Sequence, residues 1–129
     1  MSEQNIRILV VDDHEIVRKS IMAMLARESD MEVVGTAVNG REAIQQAQTT
    51  NPDVIVMDVS MPELDGIRAA GQIHSLGISS QIIMLSMHHN NVLVQQARKN
   101  GASGYVLKQH ANSDLIPAIR AAHDGQLSL

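Results

Sequence analysis

Reactive side chains follow four short apolar runs of this sequence. Asp12 and Asp13 follow the first run, Asp58 the third, Ser86 the fourth and Lys108 the fifth. If gathered, the three carboxylates repel one another by about 1 kcal/mol per pair in water, and by more when they lose contact with water. A cation must offset this repulsion. Lys108 is one candidate and Mg²⁺ is another, because Mg²⁺ is held by carboxylate oxygens and water and leaves positions open for phosphate oxygens.

The apolar runs themselves predict the elements that gather these side chains. Helical periodicity lies between the runs, which cover Ile6–Val11, Met31–Ala37, Val54–Met57, Ile82–Leu85 and Tyr105–Leu107. Strands that alternate with helices predict a parallel sheet covered by helices on both faces. In such sheets, ligands bind at the carboxyl ends of the strands, where the strand order reverses. The reactive strand ends therefore fall where chemistry is expected.

Polar residues and glycines mark where the helices begin and end. Asn39, with Glu42 three residues later, predicts one helix start. Further N-caps are predicted at Asp65, Asn91 and Asn112. The left-handed position after a helix is predicted at Gly77, Gly101 and Gly125. Pro117 falls within the first turns of the last helix, and we expect it to weaken or reshape that start because it lacks a backbone donor.

Composition limits the class of protein. A chain of 129 residues with 44% apolar residues suits one globular domain. It contains no cysteine, which excludes disulfides and thiolate metal sites. A net charge of −4 without a basic cluster disfavours direct nucleic acid binding. No apolar segment is long enough for a membrane span and the N-terminal residues lack the apolar stretch of a signal peptide, so a cytoplasmic location is expected.

Each reactive residue also has an ordinary interpretation. Asp13 alone could cap a helix that begins near His14, which is itself expected in the first turn of that helix. Taken singly, the other three could be turn or surface residues, namely Asp58, Ser86 and Lys108. Their joint placement at strand ends favours one shared site over several coincidences.

Four sequence blocks resemble a known family when they are taken in order. VVDDHEIVR, VIVMDVSMPELDG, IIMLSMH and GASGYVLK are similar to the blocks of the response regulator receiver domain, particularly its NarL/FixJ-type branch. The resemblance implies an α/β fold with a doubly wound, five-stranded parallel sheet of order 2-1-3-4-5, which is flavodoxin-like and CheY-like. A receiver domain is therefore expected over residues 1–125, with residues 126–129 as the start of a linker or a C-terminal tail.

For the carboxylates and the lysine, the resemblance implies specific roles. Asp58 is expected to be the phosphoacceptor, which takes a phosphoryl group from the phosphohistidine of a sensor histidine kinase. Mg²⁺ is expected to be held directly by Asp13, by Asp58 and by the backbone carbonyl of Ser60, and through water by Asp12. Lys108 is expected to pair with Asp58 and then with the phosphoryl oxygens.

The resemblance also implies a switch formed by Ser86 and Tyr105. Ser86 is expected to hydrogen-bond the new phosphate, and Tyr105 to turn inward into the space that Ser86 leaves. Tyr105 is the one residue among Phe, Trp and Tyr in the chain, which itself favours a special role. Ser60 and His88 occupy positions where the family varies the lifetime of its acyl phosphate. We expect His88 and His89 to be solvated loop residues rather than metal ligands.

Partners other than the kinase are implied only in outline. A homodimer linked to phosphorylation is expected to use the surface formed by residues 91–124. NarL/FixJ-type receivers usually precede a LuxR-type helix-turn-helix domain, whereas this sequence stops at GQLSL. A role in transcription is therefore expected for a longer protein, and DNA binding only through that absent domain. No membrane partner is expected.

Three other functions compete with the receiver hypothesis. A Mg²⁺-dependent phosphohydrolase usually has a second acid two residues after its nucleophile, where this chain has Ser60. A flavodoxin-like cofactor binder needs a hydroxyl-rich or glycine-rich phosphate loop after the first strand, and Asp12 and Asp13 would repel that phosphate. A degenerate receiver that serves only as a docking module would not need the intact set of acids and Lys108.

Overall fold

Five parallel strands alternate with five helices in the computed structural model, which describes residues 5–129. The strands are β1 Ile6–Val11, β2 Met31–Ala37, β3 Val54–Asp58, β4 Gln81–Ser86 and β5 Gly104–Leu107. The helices are α1 Glu15–Ala26, α2 Gly40–Thr50, α3 Gly66–Ser75, α4 Asn91–Lys99 and α5 Ala111–His123, with a short 3₁₀ helix at Lys108–His110. The strand order is β2-β1-β3-β4-β5, which confirms the predicted fold.

Two cores lie on opposite faces of the sheet. Successive side chains of a strand point to opposite faces, so Ile8 and Val10 belong to one core while Leu9 and Val11 belong to the other. Helices α1 and α5 cover the first face and contribute Ile21, Leu25, Leu115 and Ile119. The other three helices cover the second face and contribute Ala43, Ala47, Ala70, Ile73 and Ala97. The small alanines allow these helices to lie close to the strands.

Two of the four predicted N-caps are confirmed. Asn39 accepts the amide hydrogen of Glu42, and Asp65 accepts that of Arg68. The prediction of Asn91 as the N-cap of α4 is wrong by one residue. Asn90 accepts the amide hydrogens of Val92 and Leu93 at the start of this helix.

The start of α5 also differs from its prediction. Asn112 is not its cap, because the helix already begins at Ala111 and follows directly on the 3₁₀ turn without a side-chain cap. The helix runs through Pro117, which lies in its second turn. The 3₁₀ turn fixes the direction of entry, so no polar cap is required. The three predicted glycines all have positive φ, as expected, namely Gly77, Gly101 and Gly125.

The last residues lie against the edge strand β5. Ser128 forms a parallel bridge with Gly104, its amide donates to the carbonyl of Ser103, and its carbonyl accepts from Tyr105. Assignment of residues 126–129 to a linker or tail stays a prediction, as does the domain boundary at residue 125; residues 1–4 of the predicted domain lie outside the described residues. Within residues 5–129, no helix is long and apolar enough to cross a membrane.

Candidate functional site

The register of the sheet places Asp12 and Asp58 side by side at the ends of β1 and β3. Val11 pairs with Met57, so Asp12 and Asp58 are the next residues on two neighbouring strands. Both continue the alternation that places Val10 and Val56 in the same core, so both side chains lie on one face of the sheet. Asp12 is 0% exposed and Asp58 is 2% exposed. The strand order reverses between β1 and β3, so this pair lies where ligands of such sheets bind.

Lys108 supplies the cation that these two carboxylates need. Ser86 pairs with Leu107, the last residue of β5. Lys108 follows directly and therefore lies at the same carboxyl edge of the sheet as Asp12 and Asp58. Its Nζ lies 3.0 Å from Asp12 Oδ2 and 3.2 Å from Asp58 Oδ1, and its side chain is 13% exposed. The structure thus brings together the lysine and two of the three predicted carboxylates as one buried ionic group.

Burial controls the ionisation of this group. Loss of water raises the pKa of Asp58, the nearby charge of Asp12 raises it further, and Lys108 offsets only part of that rise. Burial alone lowers the pKa of Lys108, but its contacts with Asp12 and Asp58 outweigh burial and raise it. Both pKa values are raised for compatible reasons. Lys108 faces two negative charges, which favour its charged form, whereas Asp58 faces one charge of each sign and gains less from its surroundings than it loses by burial. The site therefore retains an excess of negative charge that favours a further cation.

Asp13 and His14 form the outer side of the site. Asp13 is partly exposed, and its Oδ1 is buried without a hydrogen bond while it lies 3.2 Å from His14 Nδ1. The same His14 nitrogen lies 3.4 Å from Asp12 Oδ1. The N-cap position of α1 is His14 and no side chain caps this helix, so the interpretation of Asp13 as a helix cap is wrong. Asp12 Oδ1 accepts the amide hydrogen of His14 at 2.8 Å. His14 precedes α1 as its N-cap residue and is not in the first turn.

The β3–α3 loop holds Asp58 from the other side. The amide of Ser60 donates to Asp58 Oδ1 at 3.2 Å. The amide of Gly66 donates to the carbonyl of Val59 at 2.9 Å, which folds the start of α3 against the end of β3. A Cβ atom at Gly66 would lie 2.0 Å from the carbonyl oxygen of Asp58, so this approach requires glycine. A role for the Ser60 carbonyl as a metal ligand stays a prediction.

Ser86 and Tyr105 meet at one carbonyl group of the β4–α4 loop. Ser86 is 3% exposed, and its Oγ donates to the carbonyl of His88 at 3.1 Å and accepts from the His88 amide at 3.0 Å. The Tyr105 hydroxyl donates to the same carbonyl at 2.9 Å. The two predicted switch residues are therefore joined through the backbone of His88, whose side chain is exposed.

These residues surround an open cleft of about 250 Å³. It is lined by His14, Asp58, Val59, Ser60, Ser86, Met87, His88, Leu93 and Lys108. Its walls carry a carboxylate, an ammonium group and hydroxyl groups, which can bind an anion of phosphate size once positive charge is added. The cleft opens next to exposed Met87 and to His14, so a protein partner can reach Asp58 from this side.

The carboxylates fit the magnesium ion that the family resemblance implies. Asp12, Asp13, His14 and Asp58 each offer one ligand atom, and these atoms all lie within 4.8 Å of one another. Oxygen donors suit Mg²⁺, and Asp13 Oδ1 is buried without a hydrogen bond, as expected for an atom that faces a cation. Within the described residues, His88 and His89 do not belong to this cluster.

Sequence reasoning missed two contributors to the site. His14 joins the cluster of candidate ligand atoms although it was expected only as a helical residue. Gly66 was given no role by the sequence, yet it allows α3 to approach Asp58. The signals were present in the sequence as a histidine directly after two aspartates and a glycine at a helix start, where other residues are usually better helix formers.

Comparison with known proteins identifies the family. The response regulator receiver domain matches residues 8–120. The chain is 42% identical over 116 residues to the transcriptional regulatory protein PdtaR of Mycobacterium tuberculosis, covering 90% of this chain and 56% of that protein. It is 33% identical over 122 residues to the nitrate/nitrite response regulator protein NarL of Escherichia coli, covering 95% and 56%. The chain thus spans about half the length of the curated relatives that it matches.

A solved structure agrees with this match. The isolated REC domain of RcsB from Salmonella enterica serovar Typhimurium, in the presence of the phosphomimetic BeF₃⁻, superposes with a TM-score of 0.87. The two sequences are 30% identical, and the match covers 96% of this chain and 92% of that one. The chain therefore belongs to the response regulator receiver domain family and resembles its NarL-type members.

Proposed function

We propose that this domain is a phosphorylation-dependent switch of a two-component system, in which Asp58 accepts a phosphoryl group from a sensor histidine kinase. One observation carries the proposal: Asp58 is buried at a strand end between a lysine ammonium at 3.2 Å and a second buried carboxylate. Burial and the charge of Asp12 raise the pKa of Asp58, and carboxylates shifted in this way cluster at functional sites.

The contacts of Asp58 hold its carboxylate in place for the transfer. Oδ1 accepts the amide hydrogen of Ser60 at 3.2 Å and lies 3.2 Å from Lys108 Nζ. In the proposed transfer, a carboxylate oxygen of Asp58 attacks phosphorus, a P–O bond forms, and the P–N bond to the kinase histidine breaks with its electron pair passing to the imidazole. Phosphoryl transfer requires mainly positioning and neutralisation of charge, which Lys108 supplies next to the oxygens of the transferred group.

A divalent cation completes this neutralisation. The residues that would hold Mg²⁺ are Asp12, Asp13 and Asp58, with the carbonyl of Ser60 as predicted. When bound, Mg²⁺ supplies positive charge to the carboxylates and to the phosphoryl oxygens. The excess negative charge of Asp12, Asp13 and Asp58 over Lys108 supports this part of the proposal.

The hydroxyl of Ser86 connects phosphorylation to the rest of the domain. A phosphoryl group adds close to two negative charges and several strong acceptors, so we expect Ser86 Oγ to leave the His88 carbonyl and donate to phosphate instead. That carbonyl then keeps Tyr105 as its donor, and the loop is free to move with the Tyr105 ring. The proposed consequence is the predicted inward turn of Tyr105.

The wider role follows from the relatives and is part of the same proposal. This chain covers 56% of PdtaR, which is named a transcriptional regulatory protein, and we place the DNA-binding function in a segment outside this chain. Exposed Met87 lines the cleft, and exposed Ile16 lines a neighbouring pocket together with Met87 and Lys108. These apolar side chains support docking of a protein phosphodonor. Dimerisation through residues 91–124 and a cytoplasmic location stay predictions, as do the effects of Ser60 and His88 on phosphate lifetime.

We do not expect turnover of a separate substrate. Phosphohydrolases of this kind usually place their general acid/base two residues after the nucleophile, where this chain has the hydroxyl of Ser60. The domain is therefore proposed to assist its own phosphorylation and a slow loss of the phosphoryl group, without acting as an enzyme.

Intact-protein mass spectrometry tests the proposal. The protein is incubated with Mg²⁺ and acetyl phosphate, and we expect one added phosphoryl group in the wild type and none in Asp58→Asn. Asp53→Asn is the matched control. Asp53 directly precedes the first residue of β3, at the end of the strand opposite to Asp58, and its Oδ2 accepts the amide hydrogen of Arg7. This control should gain one phosphoryl group like the wild type.

Two results would contradict the proposal. One is an unchanged mass of folded wild-type protein under conditions that phosphorylate a known receiver. The other is equal phosphorylation of Asp58→Asn, which would move the acceptor to another residue. Rapid, repeated hydrolysis of several phosphate esters would instead favour the hydrolase hypothesis.

A further inference from the structure

His14 occupies a position that the magnesium hypothesis leaves unused. Its Nδ1 lies 3.2 Å from Asp13 Oδ1 and 3.4 Å from Asp12 Oδ1, and it shares the cluster of ligand atoms with Asp58. In metal sites with bonds of about 2.0–2.2 Å, neighbouring ligand atoms lie about 3.0–3.5 Å apart. The imidazole nitrogen and the two carboxylate oxygens therefore have the spacing of ligands around one ion.

His14 is positioned through its backbone, and its side chain remains accessible. Its backbone amide is fixed by Asp12 Oδ1 at 2.8 Å, directly before α1 begins at Glu15. The side chain is 68% exposed, so an ion can reach it from solvent. Lys108 contacts Asp12 through Oδ2, whereas His14 lies beside Oδ1, so the two groups flank the carboxylate on different sides.

The chemistry of this ligand set differs from that of carboxylates alone. Mg²⁺ takes oxygen ligands, whereas imidazole favours Zn²⁺, Cu²⁺, Ni²⁺ and related ions. We propose that His14 adds a nitrogen ligand to the Asp12–Asp13–Asp58 site and makes it a binding site for a transition-metal dication that competes with Mg²⁺. The neutral imidazole carries its proton on Nε2 in the bound state, and Nδ1 offers its lone pair.

This inference rests on the proposed function only in sharing the same metal site, and it is tested without a phosphodonor. Calorimetric titration of untagged protein with Ni²⁺ and with Mg²⁺ compares wild type with His14→Gln. We expect the substitution to weaken Ni²⁺ binding by at least about tenfold and to change Mg²⁺ affinity by less than about twofold. His123→Gln is the control, because His123 is exposed and lines a pocket with Asp53 beyond the opposite end of β3.

A spectroscopic measurement identifies the ligand directly. Electron spin echo modulation from the remote imidazole nitrogen of a Cu²⁺ complex should be present in the wild type and in His123→Gln, and absent in His14→Gln. His88→Gln is included because His88 also lines the cleft, and it should retain the signal. Circular dichroism confirms that each variant is folded.

Several results would overturn the inference. They are equal Ni²⁺ affinity in wild type and His14→Gln, a parallel loss of Mg²⁺ and Ni²⁺ affinity, or an imidazole signal that depends on His88 instead. Loss of the phosphoacceptor function is a different outcome, because it is read from the mass of phosphorylated protein. An Asp58→Asn variant that still gains phosphate would refute the proposed function and leave the His14 measurements unaffected.

Discussion

Two ionic groups in this domain have almost the same geometry and opposite surroundings. In the site, Lys108 lies 3.0 and 3.2 Å from two carboxylates. At the other group, Arg120 of α5 lies 2.7 Å from Glu28 and 3.0 Å from Asp30, in the turn that joins α1 to β2. The side chains of the first group are at most 13% exposed, whereas those of the second are 31–45% exposed.

The two groups respond differently to charge for that reason. Burial raises the pKa of Asp58 even though a lysine is beside it. The hydrogen bond from Arg120 lowers the pKa of the largely solvated Asp30 by more than its partial loss of water raises it. Contact distance alone therefore does not distinguish a functional group from a surface ion pair. The difference lies in desolvation. The buried carboxylates of the site carry more negative charge than Lys108 neutralises, so the site has affinity for an added cation.

Removal of the buried cation should have the largest effect on stability. In Lys108→Ala, Asp12 and Asp58 remain buried without the ammonium group that lies between them, so we expect a loss of about 3–5 kcal/mol in the free energy of unfolding. Mg²⁺ should restore part of this loss, because an ion that binds only the folded state stabilises it. Urea denaturation with a chelator and with Mg²⁺ measures both quantities.

Lys99→Ala is the matched control for this experiment. Lys99 is an exposed lysine at the end of α4, and its removal should change the free energy of unfolding little, with or without Mg²⁺. If Lys108→Ala behaved like Lys99→Ala, the two carboxylates would not be desolvated in the folded protein, and the contrast between the two ionic groups would be lost.

Removal of the buried negative charge should act in the opposite direction. The pKa of Asp58 is raised by burial and by Asp12, so protonated Asp58 stabilises the fold at low pH and this contribution is lost as pH rises through the folded-state pKa. Metal-free Asp58→Asn lacks that loss, and its thermal midpoint at neutral pH should be a few degrees above that of the wild type. Asp53→Asn should not show this gain.

The pH dependence sharpens the same prediction. The gap between Asp58→Asn and wild type should open as pH rises above the ordinary aspartate value of about 3.9, and Mg²⁺ should narrow it by stabilising the wild type alone. Differential scanning calorimetry across this range provides the measurement. A lower midpoint for metal-free Asp58→Asn than for wild type would mean that Lys108 outweighs burial and the charge of Asp12.

Much of this arrangement is predictable from the sequence, since it follows from local pattern. The apolar runs end where the strands end to within one residue, and the side chains after them form the site because parallel strands share one carboxyl edge. Asn39 and Asp65 act as predicted because an N-cap needs only its own first turn. Asn90 and Asn91 are chemically equivalent in the sequence, so the loop geometry decides between them.

Other features depend on distances that a linear pattern does not contain. The approach of His14 to Asp12 and Asp13 depends on the residue at which α1 begins. The shared carbonyl of His88 requires the conformation of the β4–α4 loop, because a backbone group carries no sequence signal. Arg120 meets Glu28 from 92 positions away, and exposed arginines and glutamates are too common for such a pair to stand out.

Disruption of the exposed group should have the smallest effect. In Arg120→Ala, Glu28 and Asp30 remain in contact with water, so we expect a decrease in unfolding free energy well below that of Lys108→Ala. At about 1 M salt, where the screening length is about 3 Å, most of the difference from wild type should vanish, whereas the Lys108→Ala difference should persist. Arg98→Ala removes another exposed arginine of the chain and serves as the control.

The contribution of Arg120 to the free energy of unfolding should also depend on pH. The pKa of Asp30 is lowered by its hydrogen bond to Arg120, so the contribution of this pair is present above about pH 3.9 and is lost as pH falls through the lower folded-state value. Arg120→Ala should therefore lose less stability than wild type between these two values, as measured by urea denaturation. A decrease as large as that of Lys108→Ala, or one that salt does not reduce, would show that exposure does not separate the two groups.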